Sequence, residues 1–219
     1  MADRGSPEGA SRLEGRRLYL CTEDRPDLEG FLAACLRGGV DVVQLRDKHL
    51  DARPLLDRAR LAASVCREFG VPFILNDRPD LALACGADGV HVGQDDTPPG
   101  VARSILGPGA IIGLSTHAPG EWDAADGEPV DYLSAGPVNA TPTKPGRPGT
   151  GLQYLGYVSS TPAGSKVPWF VTGGATPETI PAMISAGARR FVVVRYLTGS
   201  ADPESAARRL RQAIDPAWT

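Results

Sequence analysis

Six short apolar runs in this chain each stop against a polar cluster, and this habit constrains the fold more than any other feature. Asp41-Val42-Val43 leads into Gln44-Leu45-Arg46-Asp47-Lys48, and Phe73-Ile74-Leu75 into Asn76-Asp77. Gly89-Val90-His91-Val92 is followed by Gly93-Gln94-Asp95-Asp96, and Ile111-Ile112-Gly113-Leu114 by Ser115-Thr116-His117. Tyr132-Leu133-Ser134-Ala135 leads through Gly136 to Thr141-Pro142-Thr143-Lys144, and Trp169-Phe170-Val171 stops at Thr172-Gly173-Gly174. Short runs with little alternation suit parallel strands covered on both faces. If all of them point the same way, their polar ends share one face. In a (β/α)8 barrel that face carries the chemistry.

The spacing supports eight units. Gly39-Val40-Asp41, Gly86-Ala87-Asp88 and Gly187-Ala188-Arg189 each close a helical stretch with glycine and enter an apolar strand. Glycine there supplies a left-handed helix end. The offsets, 86 − 39 = 47 and 187 − 86 = 101, match two and four units of about 25 residues, close to the smallest barrels of this kind. Strands are expected near 17–21, 40–45, 72–76, 89–93, 110–115, 131–136, 168–173 and 190–195. Helices such as Leu55 to Phe69 and Pro203 to Ile214 alternate with them, which implies right-handed crossovers and parallel pairing. The expected architecture is a single-domain α/β (β/α)8 barrel over residues 16–219, with an open doubly wound sheet as its competitor. Residues 1–15, polar and small, are expected to be a disordered extension.

Bulk properties narrow the function. A net charge of −3 leaves no electrostatic footprint for nucleic acid or an anionic membrane. No stretch approaches the roughly 18 apolar residues that span a bilayer, and nothing at the start resembles a signal peptide. The four cysteines have no C-x-x-C spacing, which points to reduced, buried thiols and a cytoplasmic protein. The oligomeric state is not fixed, and a homo-oligomer is compatible with the sequence. Of 23 cationic side chains only Lys48, Lys144 and Lys166 are lysine, and two of these fall in the polar clusters. In so arginine-rich a chain, a lysine suggests a need for a compact ammonium.

Asp77 and Asp96 end the third and fourth strands, so their carboxylates can converge at the barrel mouth. Two hard oxygen ligands with room for water and phosphate suit Mg²⁺. Equally, each aspartate can cap the helix that follows it. Arg46, Lys48 and Lys144 bring positive charge to the same face. Gly173-Gly174 and Val194-Arg195 can offer backbone N–H groups to an anion, in the region after strands seven and eight where phosphate often binds. Two anion sites are therefore expected, with Thr141, Thr143 and Lys144 able to reach both. The alternatives are a solvated turn for the Thr-Pro-Thr-Lys loop and a plain tight turn for the glycine pair. His91 reads as a packed core residue. His117 is a candidate base, with helix capping or surface placement as the other reading, and His49 carries no functional argument.

Taken together, Gln44-Leu45-Arg46-Asp47-Lys48, Asn76-Asp77, Gly93-Gln94-Asp95-Asp96, Gly113-Leu114-Ser115, Gly136-Pro137 with Thr141-Pro142-Thr143-Lys144, and Gly173-Gly174 resemble the thiamin phosphate synthase family. The likeness runs from about Leu18 to the final helix. It implies a (β/α)8 transferase of thiamine biosynthesis that joins 4-amino-2-methyl-5-pyrimidinylmethyl diphosphate to a thiazole ethyl phosphate, releasing pyrophosphate. It implies that Asp77 and Asp96 hold Mg²⁺. Gln44, Arg46, Lys48, Asn76, Ser115 and Lys144 would bind the pyrimidine diphosphate, with Arg46, Lys48, Lys144 and Ser115 acting in catalysis. Thr141, Thr143, Gly174, Val194 and Arg195 would hold the thiazole phosphate. Asn139-Ala140 and Arg195 depart from the family pattern, which commonly has an aromatic-Pro pair and a serine there.

Two rivals remain. A related thiazole tautomerase shares the phosphate site but needs a base, for which His117 would serve. A non-catalytic binder of thiamin phosphate or its precursors would not need the full metal and diphosphate apparatus.

Overall fold

The computed structural model describes residues 7–140, 148–161 and 167–218. Eight parallel strands close a barrel in sequence order. They are β1 (Leu18–Thr22), β2 (Val42–Leu45), β3 (Phe73–Asn76), β4 (Gly89–Val92), β5 (Ile111–Thr116), β6 (Tyr132–Ala135), β7 (Trp169–Val171) and β8 (Phe191–Val193). β8 pairs back onto β1, so no strand edge is left open and the doubly wound alternative is excluded. The helices between them are α2 (Leu28–Arg37), α3 (Ala52–Glu68), α4 (Pro79–Cys85), α5 (Pro99–Leu106), α6 (Pro119–Ala124), α7 (Gly151–Ser160) and α8 (Ile180–Ser185). After β8 come α9 (Arg195–Thr198) and α10 (Pro203–Ile214), the latter docking on α2. None of these helices is long and apolar enough to cross a membrane.

Strand pleating sorts the core into two shells. Leu18, Leu20, Val43, Leu45, Leu75, Val90, Leu133 and Val171 face outward and pack beneath the helices. Tyr19, Val42, Ile74, Ile111, Tyr132 and Phe170 face inward and fill the barrel. Gly39, Gly86 and Gly187 all have positive φ, as a left-handed helix exit requires.

Part of the expected extension is built into the molecule. Pro7–Ser11 form a helix, α1, and Leu13 is fully buried with the inward-facing shell. Leu13 is the one leucine among polar neighbours in that stretch, and burying it closes the amino end of the barrel. Residues 1–6 lie outside the described residues.

Not every polar residue beside a strand belongs to the carboxyl face. Asp41, Asp88 and Asp131 stand just before β2, β4 and β6. Asp41 accepts the N–H groups of Arg17 and Leu18, Asp88 that of Phe73, and Asp131 that of Ile112. Each therefore satisfies an N–H at the start of the preceding strand, the first of β1 and β3 and the second of β5. Arg211, Arg12 and Arg103 respectively pair with them. Asp131 is fully buried, so losing Arg103 would leave an uncompensated charge. This face reads as stability.

Candidate active site

At the carboxyl ends of the strands lies a cavity of ≈ 350 Å³. Gln44, Arg46 and Lys48 enter it from the end of β2, Asn76 and Asp77 from β3, and Asp96 from the loop after β4. Ser115 reaches it from β5, Gly173 and Gly174 from the loop after β7, and Val194 and Arg195 from the end of β8. Every described residue expected to bind metal, diphosphate or phosphate is thus brought together. Thr141, Thr143 and Lys144 lie outside the described residues.

Neither aspartate caps a helix. α4 begins after Arg78 and α5 after Pro98, and neither helix start carries a side-chain cap. Asp77 instead has φ 61°, the one positive value among described non-glycine residues. Such a conformation is uncommon for a residue with a Cβ and clusters at functional sites. Its N–H donates to the His91 carbonyl (2.8 Å), which ties it to β4. Asp96 is held by the Gly93 N–H (2.9 Å).

The two carboxyl groups lie within hydrogen-bond reach of each other. Burial pushes the Asp77 carboxyl up, Lys48 pulls it down, and Asp96 pushes it up again. Asp96 suffers the same burial, but the bond from Asp77 and the Gly93 N–H bring it below the usual range. Two like charges this close oppose each other's ionisation, so one carboxyl is pushed up while the other is held low. Lys48 Nζ, 2.9 Å from Asp77 Oδ2, is the cation that faces them. Among the described residues no cluster of three His, Cys, Asp or Glu side chains could enclose a metal. Two carboxylates with open positions suit Mg²⁺, which keeps several waters and shares phosphate oxygens.

The other end of the cavity is backbone. Gly173 and Gly174 have φ of 97° and 83°, and among the described residues their N–H groups find no acceptor. A Cβ on Gly173 would meet Val138 N at 2.5 Å, and one on Gly174 would meet Asn139 Nδ2 at 2.8 Å. The backbone of the β6 loop leaves no room for a side chain at Gly173, and the positive φ disfavours one at Gly174. Asn139, one of the departures from the family pattern, donates through Nδ2 to the Gly173 carbonyl (3.2 Å) and so ties the two loops together. Arg195 is exposed at the rim.

His117 is turned elsewhere. Its N–H donates to Glu121 Oε2 (2.7 Å), its Nδ1 bonds the Gly136 carbonyl, and it lines a separate depression beside α6 and α7. Asp47 has a local task as well. Burial would raise its carboxyl, but the N–H groups of His49, Leu50 and Asp24 outweigh that and hold it low. His91 is a packed core residue, as expected, though a fully engaged one. It stacks on Tyr132 (ring centroids 5.4 Å apart), and its two ring nitrogens bond Tyr132 and Ser115. Tyr19, Tyr132 and Ser134 also line the cavity and were missed. The available signal is the alternation of the strand pleat, which turns them inward like Gln44 and Ser115.

Comparison with known proteins agrees with this geometry. The model of a family described as thiamine monophosphate synthase matches residues 18–197. A thiamine-phosphate synthase of Mycobacterium tuberculosis is 46% identical over 219 residues, covering 94% of this chain and 98% of the relative. One from Thermobifida fusca is 48% identical over 207 residues, covering 93% and 94%. A solved thiamine phosphate pyrophosphorylase from Pyrococcus furiosus superposes with a TM-score of 0.83 at 30% identity, covering 95% of this chain and all of that one. A 3-hexulose-6-phosphate synthase structure, at 20% identity and a TM-score of 0.67, shares the fold.

Proposed function

The chain belongs to the thiamine monophosphate synthase family, and from that premise we propose that it joins 4-amino-2-methyl-5-pyrimidinylmethyl diphosphate to a thiazole ethyl phosphate, giving thiamin phosphate and pyrophosphate. The observation that carries this reading is the division of one cavity into a carboxylate-and-cation end and a backbone N–H end. Two different anionic substrates need two such ends.

Asp77 and Asp96 would hold Mg²⁺, which when bound supplies positive charge to the leaving diphosphate. Arg46, Lys48 and Lys144 bind that diphosphate and stabilise the charge that grows on it as the C–O bond breaks. Gln44, Asn76 and Ser115 orient the pyrimidine. Gly174, Val194 and Arg195, with Thr141 and Thr143, hold the thiazole phosphate and so aim the thiazole nitrogen at the exocyclic carbon. The electron-rich aminopyrimidine tolerates positive charge there, which favours a dissociative displacement. The attacking nitrogen carries no proton, so no side chain has to remove one. Positioning supplies the remainder of the rate. His117, engaged with Gly136 and Glu121 away from the cavity, is badly placed as the base that a tautomerase would need.

The test is an incubation of the purified protein with both substrates and Mg²⁺. Pyrophosphate and thiamin phosphate should appear in equal amounts, and neither should form when one substrate is omitted. Pyrophosphate without thiamin phosphate, or no turnover at all, would overturn the proposal.

A further inference from the structure

The floor of the cavity is a chain of hydrogen bonds through the barrel interior, most of which the reaction above does not use. The Cys21 thiol donates to Gln44 Oε1 (3.1 Å), and Gln44 Nε2 donates to the Tyr19 hydroxyl (2.9 Å). The Tyr19 and Tyr132 hydroxyls are 2.9 Å apart. Tyr132 bonds His91 Nδ1 (2.9 Å), and His91 Nε2 bonds Ser115 Oγ (2.9 Å). Ser134 donates to the same Ser115 oxygen (3.4 Å). All of these side chains are buried.

Counting protons gives the chain a direction. A hydroxyl has one proton to donate. Tyr19 accepts from the Gln44 amide, so its own proton goes to Tyr132. Tyr132 in turn donates to His91 Nδ1. His91 then carries its proton on Nε2 and donates to Ser115. Ser115 accepts from both His91 and Ser134, which leaves its own proton aimed into the cavity. The direction is set by the Gln44 amide, whose oxygen faces the Cys21 thiol and whose N–H group faces Tyr19. With that amide so held, reversing a later link would leave a buried proton unmatched or put two protons into one bond, and buried unmatched groups are costly. Burial pushes both tyrosine hydroxyls well above the ordinary range, so they remain donors.

Resting on the aminopyrimidine reading of this cavity, we propose that Tyr19, Tyr132 and His91 are positioning residues that determine specificity: their one-way chain fixes Ser115 as a donor, which selects a 4-aminopyrimidine over its 4-oxo analogue. In the aminopyrimidine the ring nitrogen beside the amino carbon has a lone pair and accepts from Ser115. In the 4-oxo lactam that nitrogen carries a proton. Two protons would then face each other, and both groups would go unpaired.

Calorimetry on the full chain with Mg²⁺ tests this. The probes are the amino and 4-oxo pyrimidinylmethyl diphosphates with carbon in place of the ester oxygen, so that neither can react. Wild type should prefer the amino compound by about 10²-fold or more. Tyr132→Phe removes one hydroxyl and frees His91 to move its proton to Nδ1, which lets Ser115 turn its own proton to Nε2 and accept from the lactam. The preference should then fall by at least about tenfold, the effect of about 1.4 kcal/mol. Tyr19→Phe, should Tyr132→Phe prove unstable, cuts the chain one link earlier and should lower the preference in the same direction. A merely structural role weakens both ligands alike, so an unchanged ratio in folded variants overturns the proposal. Equal affinities in wild type overturn the selectivity while sparing the aminopyrimidine reading, and binding of neither compound overturns both.

Discussion

Replacing Gly113 with alanine would set a methyl group where the ring of Tyr132 now lies. A Cβ at Gly113 falls 2.1 Å from Tyr132 Cζ and 2.4 Å from its hydroxyl oxygen. Ordinary contact begins at 3.4 Å, so the ring would have to retreat by 3.4 − 2.1, or about 1.3 Å. It has nowhere to go. Its ring centroid lies 5.9 Å from that of Tyr19, 5.6 Å from that of Phe170 and 5.4 Å from that of His91. Overpacking of this kind costs about 1–3 kcal/mol. For a chain of this length that corresponds to a melting temperature lower by roughly 2–12 °C. Displacing the Tyr132 hydroxyl would also break its 2.9 Å bond to His91, so catalytic efficiency should fall along with stability. Thermal denaturation followed by circular dichroism, with steady-state kinetics on the same preparation, reads both effects. A Gly113→Ala protein with wild-type melting and wild-type kcat/KM would refute the packing argument.

His117→Asn should retain synthase activity to within about tenfold, since a lost general base costs roughly 10²–10⁴; a thousandfold loss would restore His117 as a base. Lys144→Ala should chiefly impair use of the pyrimidine diphosphate, and Thr143→Ala should raise KM for the thiazole phosphate. The lysine change should be the more damaging, because a charged hydrogen bond is worth about 1.5–3 kcal/mol against about 1 for a neutral one; equal effects of both variants on both substrates would show that the anion sites are wrongly divided. Burial pushes the Cys35 and Cys66 thiols up to about 12 from 9.0. Their contribution is fully present below pH 9 and is lost as pH rises toward 12, because the unfolded thiols release their protons first. Urea midpoints should therefore fall less steeply over that range in a Cys35→Ala/Cys66→Ala variant than in wild type, and parallel slopes would count against it.

Much of this architecture is legible in the sequence because a barrel strand buried on both faces must be short, apolar and bounded by turns. The observed β3 and β4 agree with the expected 72–76 and 89–93 to within a residue, and α10 agrees at both ends. The cavity-lining positions at strand ends are legible for a related reason: Gln44, Asn76 and Ser115 are polar side chains in otherwise apolar runs, and the structure buries them facing the cavity. What pattern alone cannot resolve is which end of a strand a polar residue serves. Asp41 and Asp88 look like other strand-end polar residues, yet they clamp the opposite face through backbone N–H groups and arginines. Nor can spacing decide between cap and ligand for Asp77, since its φ of 61° and its N–H bond to the His91 carbonyl of β4 belong to the folded chain. Tyr19 and Tyr132 pass for ordinary apolar filling because in sequence an aromatic ring shows its surface and hides its hydroxyl. Leu13 stands alone in a polar stretch, and no period marks it as a barrel plug.

The paired carboxylates are the centre of the functional reading, and metal dependence tests them most directly. Thiamin phosphate formation should be measured against Mg²⁺ concentration for wild type, Asp77→Ala and Asp96→Ala, with EDTA added and then removed. Wild type should lose activity in EDTA and regain it with Mg²⁺. Each variant should fall by at least about 10²-fold, the size of losing one strong stabilising contact at the transition state. Both should still melt close to wild type, because the carboxylates line the cavity and not the packed shells. Full activity in EDTA, or in the Asp77→Ala/Asp96→Ala double variant, would contradict the account.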